Sequence, residues 1–166
     1  MAEATGDFHL QFYIWIDTMV TPDHEHVIGC YDVSAGAYAV EACIDYHNSA
    51  YYLRNKKASA NEEASYEDVS VIPTGQWVKV EMYFDDVNNL VAYYLDGAYK
   101  GNFTPQGPNA DPDRVYIGDT WSNGFRGFYY LDDVTIDNAK PGWRSLKYAS
   151  EPPVSGAYNK LLYAGE

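Results

Sequence analysis

The chain has 166 residues, of which 46% are hydrophobic, 16% aromatic and 21% charged, with a formal net charge of −13. That length suits one domain with a two-sheet core, and the charge argues against nucleic acid, anionic membranes and acidic polysaccharides unless a cation bridges them. No run approaches the ~20 apolar residues of a spanning helix, so membrane insertion is not expected.

Met1-Ala2-Glu3-Ala4-Thr5 lacks the basic start and apolar core of a signal peptide. An extracellular life would then follow removal of a leader, or leaderless exit of the kind virion proteins use. The first periodic segment is 8–17. Phe8, Leu10, Phe12, Ile14 and Ile16 alternate with His9, Gln11, Tyr13, Trp15 and Asp17, which predicts a strand with one face in the core. Residues 21–26, Thr-Pro-Asp-His-Glu-His, predict a solvated loop, because His24 and His26 without a third ligand make a poor zinc site.

Val27–Tyr31 and Tyr38–Tyr46 predict a hairpin, and Tyr51–Lys56 a further strand. Residues 58–68 are polar and rich in Ala, Ser and Glu and predict a long loop. Val78, Val80, Met82 and Phe84 make the next apolar face, followed across a turn at 85–89 by Val91, Tyr93 and Leu95. Asp96-Gly97 is a tight-turn signal. Residues 103–113 form a Pro/Gly/Asn-rich loop, and Asn102-Phe103-Thr104 fits the N-glycosylation pattern. Arg114–Gly118 and Gly127–Asp137 complete the strands. Many short strands without helical periodicity predict an all-β antiparallel sandwich over residues 1–137. The tail, 138–166, is interrupted by Pro141, Pro152, Pro153 and Gly156 yet carries Trp143, Leu146, Tyr148, Leu161, Leu162 and Tyr163. It either packs back as an extra strand or serves as an arm for a neighbouring subunit.

Cys30 and Cys43 lie symmetrically about Gly36-Ala37. A two-residue loop there would set the sulfurs opposite each other, with Tyr31, Val33, Tyr38, Val40, Ala42 and Ile44 on the core face. Cys30 and Cys43 would then share the other face with Asp32, Glu41 and Asp45. A disulfide and a pair of free thiols are both compatible with this register.

From residue 74 onward the order of motifs is specific. Thr-Gly-Gln-Trp-Val-Lys-Val-Glu (74–81) leads to Val-Ala-Tyr-Tyr-Leu-Asp-Gly (91–97), Val-Tyr-Ile-Gly-Asp (115–119) and Phe-Arg-Gly-Phe-Tyr-Tyr-Leu-Asp-Asp-Val (125–134). This resembles the second half of concanavalin A-like, laminin G-like jelly rolls. The resemblance implies a two-sheet jelly-roll sandwich, and a surface that meets glycans or protein partners. It also implies a structural calcium near the end of the last strand, with Asp132 or Asp133 as ligand and Asp7 as a second acidic contributor. The strands that usually precede the Phe8 strand are absent, which leaves a place for the tail to fill.

For glycan binding, the loop Gly118–Arg126 has the required composition: Trp121 to stack on a sugar face, with Asn123, Phe125 and Arg126 beside it. Tyr51, Tyr52 and Arg54, and the outward Tyr13, Trp15 and Tyr94, are further platforms. The same rings could instead cover a neighbouring subunit. Catalytic signatures are absent: no Gly-x-Ser-x-Gly elbow, no phosphate-binding Gly-rich loop, no His-Glu-x-x-His. Glu41 and Asp45 share one strand face without the Glu-x-Asp-x-Glu pattern of jelly-roll glucanases, and are expected to be solvated acids. His9 and His47 have no evident partners. The expectation is a carbohydrate-binding or adhesion module without catalysis, extracellular or on a virion surface. The alternatives are a decoration subunit bound to neighbouring protein and, third, a glycan-cleaving enzyme.

Overall fold

The computed structural model describes residues 7–19, 25–32, 37–57, 66–105, 114–117 and 127–137. They form ten strands: β1 (Phe8–Met19), β2 (Glu25–Asp32), β3 (Ala37–His47), β4 (Ala50–Lys56), β5 (Tyr66–Ile72), β6 (Trp77–Asp85), β7 (Leu90–Leu95), β8 (Ala98–Phe103), β9 (Arg114–Ile117) and β10 (Gly127–Asp137). Two five-stranded antiparallel sheets result, ordered β10-β1-β6-β7-β8 and β5-β4-β3-β2-β9. The chain is an all-β, jelly-roll-like sandwich, as its alternation predicts. Among the described residues no helix is long and apolar enough to cross a membrane.

The core lies between the sheets. The first sheet contributes Phe8, Leu10, Phe12, Ile14 and Ile16 from β1, and Val78, Val80, Met82 and Phe84 from β6. Val91, Tyr93 and Leu95 of β7 and Val134 and Ile136 of β10 extend it. From the second sheet come Val27, Ile28, Cys30, Val40, Ala42, Ile44, Leu53 and Ile72. Each apolar side chain fully removed from water contributes about 1.5–3 kcal/mol, so this double layer drives the fold.

Local chemistry fixes the turns. Asp96 and Gly97 take φ of 49° and 77°, the pair of left-handed residues that matches a two-residue hairpin to strand twist. Asp96 also clamps β6. Its backbone N–H donates to the Lys79 carbonyl at 2.9 Å, and its Oδ1 accepts from the Lys79 N–H at 2.8 Å.

Several expectations need correction. Residues 66–68 belong to β5 rather than to a loop, and Ala98–Phe103 forms β8, so Asn102 of the glycosylation triplet stands on a strand. β1 is flanked on both sides, by β10 and β6. Residues 138–166 lie outside the described residues.

The β2–β3 hairpin departs furthest. Cys30 pairs with Val40 and Tyr31 with Tyr38, so Ala39 is an extra residue, while Val27 is extra between His26↔Cys43 and Ile28↔Ala42. Each bulge advances one strand by a residue and reverses which side chains face inward. Cys30 therefore lies in the core, whereas Cys43 shares the opposite face with Glu41 and Asp45. Both thiols are buried, and no disulfide joins them. The disulfide is overturned by this register, and Tyr31 and Tyr38 move to the outer face.

Candidate functional site: the outer face of the second sheet

The second sheet turns an unusually polar face away from the core. Strand alternation brings His26 from β2, Glu41, Cys43, Asp45 and His47 from β3, and Tyr52, Arg54 and Lys56 from β4 onto it. From β5 it carries Tyr66 and Asp68. The expected loop position of His26 is corrected, since it lies in β2 and is 5% exposed. His24 lies outside the described residues.

Glu41 and Asp45 are likewise not solvated, at 0% and 4% exposure. A buried carboxylate persists only when paired and hydrogen-bonded. Glu41 accepts from His26 Nδ1, and Lys56 Nζ lies 3.5 Å from its other oxygen. His26 Nε2 meets the Tyr66 hydroxyl at 3.2 Å. The guanidinium of Arg54 and the ammonium of Lys56 stand 5.4 and 5.5 Å from the Tyr66 ring centroid, where the electron-rich ring face attracts cations.

Arg54 organises the next rows. Its Nη1 donates to Asp45 Oδ2, its Nη2 donates to the Tyr66 carbonyl, and its Nε pairs with Asp68 Oδ1, each at 2.8 Å. His47 bonds Asp68 at 3.0 Å and stacks on Tyr52 with centroids 4.1 Å apart. His47 and His9 thus both have partners. His9 stacks on Tyr83 at 4.1 Å, and its Nε2 lies 3.8 Å from Glu81.

At the other end of the face, Tyr31, Tyr38 and Tyr116 meet edge-on, with centroid distances of 4.9, 5.6 and 6.0 Å. Gly29 makes room for them, because a Cβ there would lie 2.7 Å from the Tyr38 ring.

The predicted site residues separate. Tyr52 and Arg54 share the outer face, but Tyr51 points the other way, packing on the core and on Tyr46. Trp121, Asn123, Phe125 and Arg126 lie outside the described residues. Tyr13, Trp15 and Tyr94 stand half-buried on the outer face of the first sheet, where Trp15 meets Trp77 at 5.8 Å and Tyr94 meets Tyr83 at 5.4 Å.

The calcium trio does not assemble. Asp132 pairs across from Tyr13, six residues along from Asp7, a separation of roughly 20 Å at strand rise. Asp7 Oδ1 instead accepts from the Asp86 N–H at 2.9 Å, and Asp132 Oδ1 from the Asp133 N–H at 2.8 Å. Asp133 has φ 46° at a β10 bulge, which explains the doubled acid as a local turn. Among the described residues no group of three or more His, Cys, Asp or Glu side chains is arranged to hold a metal.

Glycosidic cleavage by two carboxyls requires a separation of roughly 5–10 Å. Glu41 and Asp45 are four residues apart on one strand, roughly 13 Å, and each is held by its own cations. That pair does not fit the two-carboxyl geometry.

No family model matches the sequence, and no curated relative does. Solved structures do. A Trypanosoma rangeli sialidase superposes with TM-score 0.58 at 20% identity, over 82% of this chain and 21% of that one. Alginate lyase PA1167 from Pseudomonas aeruginosa gives TM-score 0.57 at 11% identity, over 81% of this chain and 66% of that one. A putative carbohydrate binding protein from Bacteroides ovatus gives 0.53 at 17%, over 80% and 37%. The chain is similar to these β-sandwiches in fold, and spans only part of each. Proteins described as a sialidase and an alginate lyase share this fold, so the expectation that this chain is not an enzyme is withdrawn.

Proposed function

We propose that this is a concanavalin A-like carbohydrate-recognition domain acting outside the cell, with a glycan chain lying along the outer face of the second sheet. One observation carries the proposal. That face places half-exposed rings at both ends, Tyr31, Tyr38 and Tyr116 at one and Tyr52 at the other, and fixes Arg54, Asp68 and His47 beside Tyr52. Sugars are recognised by aromatic faces together with charged and amide groups held in place to meet hydroxyls. A core needs no such array. The spread of rings along β3 suits a polymer more than a single sugar, and the −13 charge favours a neutral one. The likeness to a described carbohydrate binding protein supports the same partner class.

Affinity electrophoresis in gels containing neutral polysaccharides tests this. Retardation by at least one polymer, weakened in Tyr52→Ala and Arg54→Ala and preserved in Tyr99→Ala on the other sheet, is the expected result. Retardation indifferent to Tyr52 and Arg54, or absent across β-glucans, mannans, xylans and galactans, would overturn it.

A further inference from the structure

The first sheet carries a separate groove. In the register across β1, β6, β7 and β8, His9 pairs with Tyr83, Tyr83 with Ala92, and Ala92 with Asn102. These side chains form one row on the outer face. His9 and Tyr83 stack almost parallel, 8° apart in plane. β1 and β7 flank β6 on opposite sides. The parallel stack therefore turns one face of the Tyr83 ring toward β1 and the other toward Ala92.

Ala92 is the smallest side chain of that row, so it leaves a notch. Tyr83 walls one side and Asn102 the other, two strand spacings away, roughly 10 Å. Tyr94, one row along, meets Tyr83 at 74°. The groove opens in the other direction, toward Asp85 and Asp7, and measures about 530 Å³, inside the range of small-ligand sites. Tyr83 is 43% exposed. Asp7 and Asp85 are already fixed, Asp7 by the Asp86 N–H and Asp85 by the N–H and side-chain amide of Asn88, which donate at 2.9 and 2.6 Å. Those bonds hold the Asp85 carboxyl below its usual range, so it remains a charged acceptor through neutral and mildly acid pH.

We infer that this groove is a second site, for one neutral hexopyranose unit. Tyr83 supplies a rigid upright ring for the apolar face of the sugar. The Asn102 amide offers both donor and acceptor to hydroxyls on the far side, and Asp7 and Asp85 accept from hydroxyls at the open end. An anionic sugar is opposed by the two carboxylates. The site is independent of the proposal for the second sheet, because it lies on the other side of the sandwich.

The test is a titration of the full chain with methyl glucopyranoside, methyl galactopyranoside and methyl mannopyranoside at millimolar concentration, read by amide chemical shifts. Saturable shifts at Tyr83, Ala92 and Asn102 are expected with at least one sugar. Ala92→Leu fills the notch and should abolish them, while Val71→Ala, at an exposed position of the second sheet, leaves them intact. Asn102→Ala, which keeps the notch, should weaken binding about tenfold by removing paired hydrogen bonds. The inference is overturned if no sugar shifts this row, if Ala92→Leu and Asn102→Ala both leave the shifts unchanged, or if tetramethylammonium shifts the row and the sugars do not. Failure of polysaccharide retardation by the second sheet leaves these readouts untouched.

Discussion

The Tyr93 hydroxyl donates to Asn55 Oδ1 at 3.1 Å, joining β7 of the first sheet to β4 of the second across the core. Asn55 in turn donates from Nδ2 to the Thr104 carbonyl at 2.8 Å. Both side chains are fully buried, so each polar atom depends on the other for what water supplied in the unfolded chain. Tyr93→Phe leaves the Asn55 oxygen without this partner and should destabilise by about 1–3 kcal/mol. Urea unfolding should show a lower midpoint at unchanged slope. An unchanged midpoint would mean that the tie contributes nothing.

Alkaline pH should unfold the domain through two buried groups. Burial pushes Tyr93 well above its ordinary 10.0 and Cys30 well above its ordinary 9.0. Above about pH 9, then about pH 10, the unfolded chain releases these protons while the folded chain keeps them. Their stabilisation is thus intact below pH 9 and declines as pH rises, at up to about 1.4 kcal/mol per pH unit per group. Stability measured from pH 8 to 11 should bend downward, and Cys30→Ala should remove the part that begins near 9. A profile that keeps the same bend in Cys30→Ala contradicts the assignment.

The His26–Glu41 pair sets up a mutant cycle. Removing one partner strands the other in a buried site, so Glu41→Leu and His26→Leu should each cost about 3–5 kcal/mol. The double change to Leu at both positions removes both polar groups and should cost clearly less than the two single losses summed. Additive losses in thermal and urea unfolding would show that the two side chains do not act as a unit.

Gly29 has a more local role. A Cβ at this position meets the Tyr38 ring at 2.7 and 2.8 Å, so Gly29→Ala should cost about 1–3 kcal/mol by forcing the ring aside. Tyr38→Ala in the same chain should recover most of that loss. Recovery failing to appear would place the strain in the backbone and not in the ring.

Much of the fold was legible where alternation is clean. β1, β6 and β7 place every second residue in the core, and no bulge interrupts the pairing of β6 with either neighbour. The pairing of β2 with β3 and the inward set Val40, Ala42 and Ile44 were legible, but the register was not, because the bulges at Val27 and Ala39 leave no mark in the composition and reverse the faces of β2. That error moved Cys30 out of the core and Tyr38 into it. The polar cluster was hidden for a related reason. His26, Tyr66 and Glu41 are far apart in sequence, and only the bulged β2–β3 register and the strand character of 66–68 bring them together. One signal was available: His47, Tyr52 and Arg54 flank a short turn at Asn48-Ser49, which places His47 near Tyr52 in any tight hairpin. β8 was missed because Ala98, Tyr99 and Lys100 are all exposed and carry no alternation.

The central position of β1 bears on how the molecule forms. Its neighbours are β6 and β10, so Phe8–Met19 waits for Gly127–Asp137, the latest in sequence of the described strands. Until β10 docks, one side of β1 offers unsatisfied amides and carbonyls beside a greasy surface, a template for foreign strands. Such distant partnering makes acquisition of the native state slow compared with helical domains of similar size. Nascent chains halted before residue 127 should therefore need chaperones to stay in solution.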